Sequence, residues 1–175
     1  MDRFDGIPQV DRVEPLIALI GVTVTVLTVH RLWLRRTLEL EIALRAGVAA
    51  MFALTGIAHF VGMRAELVAM VPNWLPYAGL VVTVTGVLEL AGAAAMLHRR
   101  LAMPAAAGLT LLLIALFPAN VELALSGRPL PWYDELVPRT VMQLLFLTAT
   151  VTVFVLTLKP VGRTANHREP AETRA

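Results

Sequence analysis

Cysteine is absent from the 175-residue chain, which excludes disulfides, thiol relays, iron–sulfur ligation and cysteine-type zinc sites. Charge is scarce too. Asp, Glu, Lys and Arg supply 16% of residues, against about 25% in an average soluble chain, too few to coat a water-facing surface. Aromatic residues reach only 6%, and no basic stripe interleaved with them exists to follow phosphates. A nucleic-acid partner is therefore excluded despite a pI near 9.7, since the net charge is only +2. A basic N-terminal region is also missing: Asp2, Asp5, Asp11 and Glu14 precede the first apolar run, the reverse of a cleaved signal peptide. What the chain has in excess is apolar surface, at 57% hydrophobic residues and a mean hydropathy of +0.70. For the chain as a whole, that composition excludes an ordinary soluble enzyme and a disordered polypeptide. Positive charge resides in fourteen Arg and one Lys, a bias that points to a bacterial, GC-rich coding sequence.

Five uncharged stretches run Pro15–His30, Ala46–Met63, Leu67–Leu88, Leu101–Val121 and Thr140–Leu158. Crossing a hydrocarbon core of about 30 Å takes roughly 20 helical residues, and backbone groups at that depth must satisfy one another, which means helices. The third stretch is interrupted by Pro72-Asn73-Trp74-Leu75-Pro76, so its helix is expected from about Tyr77 to Leu97, across the charged Glu89. The expected fold is an all-α, polytopic transmembrane helical bundle. Its parts are an N-terminus at 1–14, a transmembrane helix at 15–34, a four-helix membrane domain at 46–158 and a disordered tail at 159–175. Ten Lys and Arg residues fall on one side of this topology and five on the other. The positive-inside rule then places the C-terminus in the cytoplasm and the N-terminus outside, as in a multi-pass protein of the bacterial inner membrane.

Ionisable groups inside membrane helices are costly and usually face a bundle interior or a wet cavity. His59 sits near the outer end of the second stretch and Glu89 near the middle of the third. Asn120 follows Phe117-Pro118-Ala119, and Arg139 and Gln143 open the fifth stretch one turn apart, on one face. Alternating helix directions put His59, Asn120, Arg139 and Gln143 in the outer half of the membrane. Glu89 would lie about 18 Å in from the outer end of its helix. One outward-opening pocket, floored by Glu89, is the expectation, with Gly86, Gly92 and Ala93 giving neighbouring helices room to approach. His59 and Glu89 are the candidates for any catalysis. Trp74 is a further ligand-binding candidate, although its plainer role, like that of Trp132 and Tyr133, is to anchor the chain at headgroup level. No metal site is expected, because His59 has no second His near it.

Several short motifs together resemble the DoxX-like integral membrane proteins, over about residues 51–153. They are Gly56-Ile57-Ala58-His59-Phe60, Met70-Val71-Pro72-Asn73-Trp74-Leu75-Pro76, Gly86-x-x-Glu89 followed by Gly92, Phe117-Pro118-Ala119-Asn120, and Arg139 four residues before Gln143. The family pattern usually has Pro-Pro-Trp where Pro72-Asn73-Trp74 stands, and Pro where Val141 stands; neither departure removes a polar group. The resemblance implies a compact four-helix DoxX-like core, with Pro15–His30 as an extra N-terminal helix. It also implies a link to membrane oxidoreductases such as thiosulfate:quinone oxidoreductase.

Three functions are compatible with these residues. The first is a membrane subunit that binds a quinone, with no covalent cofactor, and works with a soluble oxidoreductase. His59, Asn120, Arg139 or Gln143 would donate to the quinone carbonyls, and Glu89 would serve a proton route. The second is acid–base isomerisation of an apolar lipid by His59 and Glu89. The third is assembly or transport, with the polar groups locking the bundle or admitting a small solute. Small-residue helix faces also permit a homodimer within the lipid bilayer.

Overall fold

A computed structural model describes residues 13–33, 40–125 and 135–158. The N-terminus before Val13, the tail at 159–175, and Arg128, Trp132 and Tyr133 lie outside the described residues. Six helices and no strands make up the rest: α1 (Glu14–Leu32), α2 (Leu40–Ala58), α3 (Arg64–Met70), α4 (Ala78–Leu97), α5 (Ala102–Leu125) and α6 (Leu136–Leu158). All but α3 are long and apolar enough to cross a membrane. The protein is all-α, as its apolar runs require.

Local chemistry sets the helix ends. Glu14 and Pro15 occupy the first turn of α1, and His30 and Arg31 its last, matching the helix dipole and proline's tolerance for N-terminal positions. Ahead of α4, Tyr77 adopts a left-handed backbone with φ 59°, and its carbonyl accepts from the N–H groups of Leu80 and Val81. Threonine hydroxyls within the spans turn back on their own helices, as Thr110 does to the Ala106 carbonyl at 2.7 Å. That bonding lets polar threonines sit in an apolar phase without a partner helix.

Helices α2, α4, α5 and α6 pack in that order as a ring, closed by contact of α6 with α2. Met51, Phe52, Met96, Leu109 and Val153 fill its centre. Helix α1 lies outside the ring on α2. Gly47 permits the approach, because a β-carbon there would collide with Thr23 and the Leu19 carbonyl. Gly92 does the same for α4 and α5, where a β-carbon would come within 2.5 Å of the Leu109 side chain. Large apolar side chains such as Ile17, Leu80, Leu111 and Leu144 face outward, as lipid contact requires and water would not favour.

Helix α6 begins at Leu136 rather than Thr140, so Arg139 lies inside it, and three further boundaries differ from the sequence expectation. Helix α2 begins at Leu40, six residues before the uncharged run that starts at Ala46. Arg45 is therefore not a loop cation. It is 7% exposed, paired with Glu41 one turn earlier, and donates through Nε to the Met96 carbonyl at 2.9 Å. Helix α5 continues past Val121 to Leu125 with Pro118 inside it. The third difference matters most for function. Helix α2 stops at Ala58, so His59 lies just beyond it, and the expected loop from Arg64 contains helix α3.

Candidate functional site

The end of α2 sits deep in the bundle. A β-carbon on Gly86 would approach His59 Cβ to 2.5 Å, so His59 is level with Gly86. Eight residues separate Gly86 from the start of α4 at Ala78, about 12 Å of helix at 1.5 Å per residue. The chain from Phe60 onward then returns along the first turns of α4. We expect Gly86→Ala to lower the thermal stability of the lipid-reconstituted protein by about 1–2 kcal/mol, the usual scale of overpacking, measured by thermal unfolding.

A helix end leaves carbonyls without intrahelical partners, and here two side chains supply donors. His59 Nδ1 lies 2.8 Å from the Thr55 carbonyl; a carbonyl only accepts, so Nδ1 carries the hydrogen. Arg64 gives one guanidinium nitrogen to the His59 carbonyl at 3.2 Å. Its other terminal nitrogen reaches the Gly79 carbonyl and Thr83 Oγ1 on α4. Sequence reading passed over Arg64 as one loop charge among several, since nothing in its neighbours marks a residue that spans two helices.

Beneath this end lies Glu89, 5% exposed. Its Oε2 is 3.9 Å from His59 Nδ1, beyond hydrogen-bond length, and this buried oxygen has no hydrogen-bond partner. His59 itself is 8% exposed. An acid and an imidazole are thus buried side by side, with Thr55 next to both.

A second polar set lies between α5 and α6. Arg139 donates to Asn120 Oδ1 at 2.8 Å, and the buried Gln143 amide donates to the Leu113 carbonyl at 2.8 Å. Beside them runs a groove of about 170 Å³ lined by Ile114, Phe117, Thr140, Gln143, Leu144 and Leu147. The expected single pocket is therefore resolved into two places: His59 and Glu89 meet between α2 and α4, while Asn120, Arg139 and Gln143 gather between α5 and α6. Four helices contribute, and each set draws on the pair that packs together, which is why one floor of carboxylate does not underlie both. Trp74 joins neither set. It is 70% exposed and donates to Glu122 Oε2 at 3.2 Å, tying the segment after α3 to α5.

Residues 48–154 match the model of a family described as a domain of unknown function, DUF8561. The chain belongs to this family. Neither the comparison with curated proteins nor that with solved structures found a match. The DUF8561 span begins inside α2 and ends inside α6, so it contains both polar sets and excludes α1. The family domain is thus the ring and its polar interior, and α1 is an addition beside it.

Proposed function

We propose that the protein is an integral membrane protein that binds a lipophilic small molecule, a quinone being the class its polar groups suit best. The groove between α5 and α6 carries this reading. Its walls are mostly apolar and include Gln143, with the Arg139–Asn120 bond about one turn away. Gln143 uses one N–H on the Leu113 carbonyl, which leaves a second to donate. A quinone ring would place a carbonyl there and leave its chain among lipid. The DoxX-like resemblance supports the same class, since some members of that family are small subunits of quinone-linked membrane oxidoreductases.

Having no cysteine and no resident redox group in its sequence pattern, such a protein would rely on the bound carrier and a soluble oxidoreductase for electron transfer. In this reading it resides in a bacterial inner membrane with its N-terminus outside. The α3 end of the bundle then faces outward, towards a partner docked there.

The test is equilibrium binding of a short-chain ubiquinone analogue to protein in lipid nanodiscs. Saturable binding is expected, weakened at least tenfold, about 1.4 kcal/mol, by Ile114→Trp, which fills the groove, and by Gln143→Leu. Binding that never saturates, or that both variants leave unchanged, overturns the reading.

A further inference from the structure

We propose that His59 and Glu89 form a proton relay, in which the imidazole passes protons entering from the α3 end to the buried Glu89 carboxylate. This site lies between α2 and α4, apart from the α5–α6 groove, and stands whether or not a quinone occupies that groove.

The first support is the state of Glu89. Its Oε2 is buried without a hydrogen-bond partner inside a helix with no other charged residue. A polar atom held that way is expensive: the Thr55 side chain bonds the carboxyl, yet this oxygen is left unserved. The second is the tautomer of His59. Because Nδ1 donates to the Thr55 carbonyl, the neutral ring has its lone pair at Nε2. The third is position: the ring stands at the C-terminal end of α2, where the helix dipole favours a positive charge.

The transfer balances atom by atom. A proton from water binds Nε2 and makes the imidazolium. The Nδ1–H bond then breaks and an O–H bond forms at Glu89 Oε2, across a gap that is 3.9 Å at rest. The ring is left neutral with its hydrogen on Nε2, and the carboxylate has become a carboxylic acid. Loss of the Nε2 proton to water and uptake of another at Nδ1 then restore the bond to Thr55. Charge moves inward by one proton and no oxidant or reductant is consumed.

The charged groups around the pair are accounted for. On α2, Arg45 and Glu41 pair with each other at the opposite end. On α3, Arg64 is bonded to the His59 carbonyl and to α4, and Glu66 is exposed. On α5, Glu122 takes the Trp74 bond, and on α6, Arg139 holds Asn120. Helix α4 carries no charged residue besides Glu89. Among the described residues, His59 is the group within ion-pair distance of Glu89.

Time-resolved infrared spectroscopy of ligand-free protein in nanodiscs, after a rapid drop in pH, tests the relay. The expected result is a carboxylic-acid carbonyl band that grows in, is missing in Glu89→Gln, and shifts in frequency in Glu89→Asp. Its growth should slow at least tenfold in His59→Asn and His59→Gln, both able to keep a donor near Thr55. If either variant fails to fold, the other carries the comparison. No such band in the unmodified protein, a band retained in Glu89→Gln, or unaltered growth in the folded His59 variants each overturns the proposal. Because no quinone is present, this outcome is separate from that of the groove experiment.

Discussion

Arg64→Ala is expected to lower the stability of the reconstituted protein by about 2–4 kcal/mol, a large share of the margin that holds a domain folded. Arg64 makes hydrogen bonds to three acceptors: the carbonyls of His59 and Gly79, and Thr83 Oγ1. Bonds from a charged donor contribute about 1.5–3 kcal/mol each, and partial exposure of the side chain reduces the sum. Gly79 keeps the Thr83 hydroxyl after the change. The His59 carbonyl has no such substitute. With the tie from the start of α3 to α4 removed, the segment that covers the end of α2 loses its main anchor. Arg64→Lys should recover less than half of the loss, since an ammonium on a flexible stem lacks the guanidinium fork that reaches two sides at once. Thermal unfolding in nanodiscs measures both, and equal recovery by Lys would show that charge alone matters.

The membrane bundle was legible in composition and run length, because both report a physical requirement of the bilayer on every span. Pro72 and Pro76 located the break before α4 for a similarly local reason, and the helix does start at Ala78. Boundaries governed by pairing across helices were not legible. Arg45 marks a helix end when charge is counted, yet Glu41 and the Met96 carbonyl neutralise it inside α2. His59 lies in an uncharged run and so reads as part of a span, although the chain leaves the helix at Ala58. Polar residues were found individually: His59, Glu89, Asn120, Arg139 and Gln143 each take part in a buried or half-buried set. Their grouping depends on which helices adjoin, and alternation of direction gives depth but not neighbours. Gly86 was read as room for a close approach, and it has that role, with the turn at His59 as the element that approaches.

Two explanations of the buried polar groups differ in sign at Glu89. If the carboxyl locks the bundle, removing it should weaken the fold. If it is retained for proton transfer, an apolar side chain of similar size should strengthen the fold, as polar groups kept for function commonly reduce stability. The partnerless Oε2 favours the second explanation, and Leu would replace a desolvated oxygen with apolar contacts to α2. The most direct measurement is thermal unfolding of Glu89→Leu beside the unmodified protein in the same nanodiscs. A gain of about 1–3 kcal/mol, the desolvation cost of one buried polar group, is expected, together with loss of the carboxylic-acid infrared band. A fall in stability of that size would contradict the second explanation, and would make Glu89 a structural bolt.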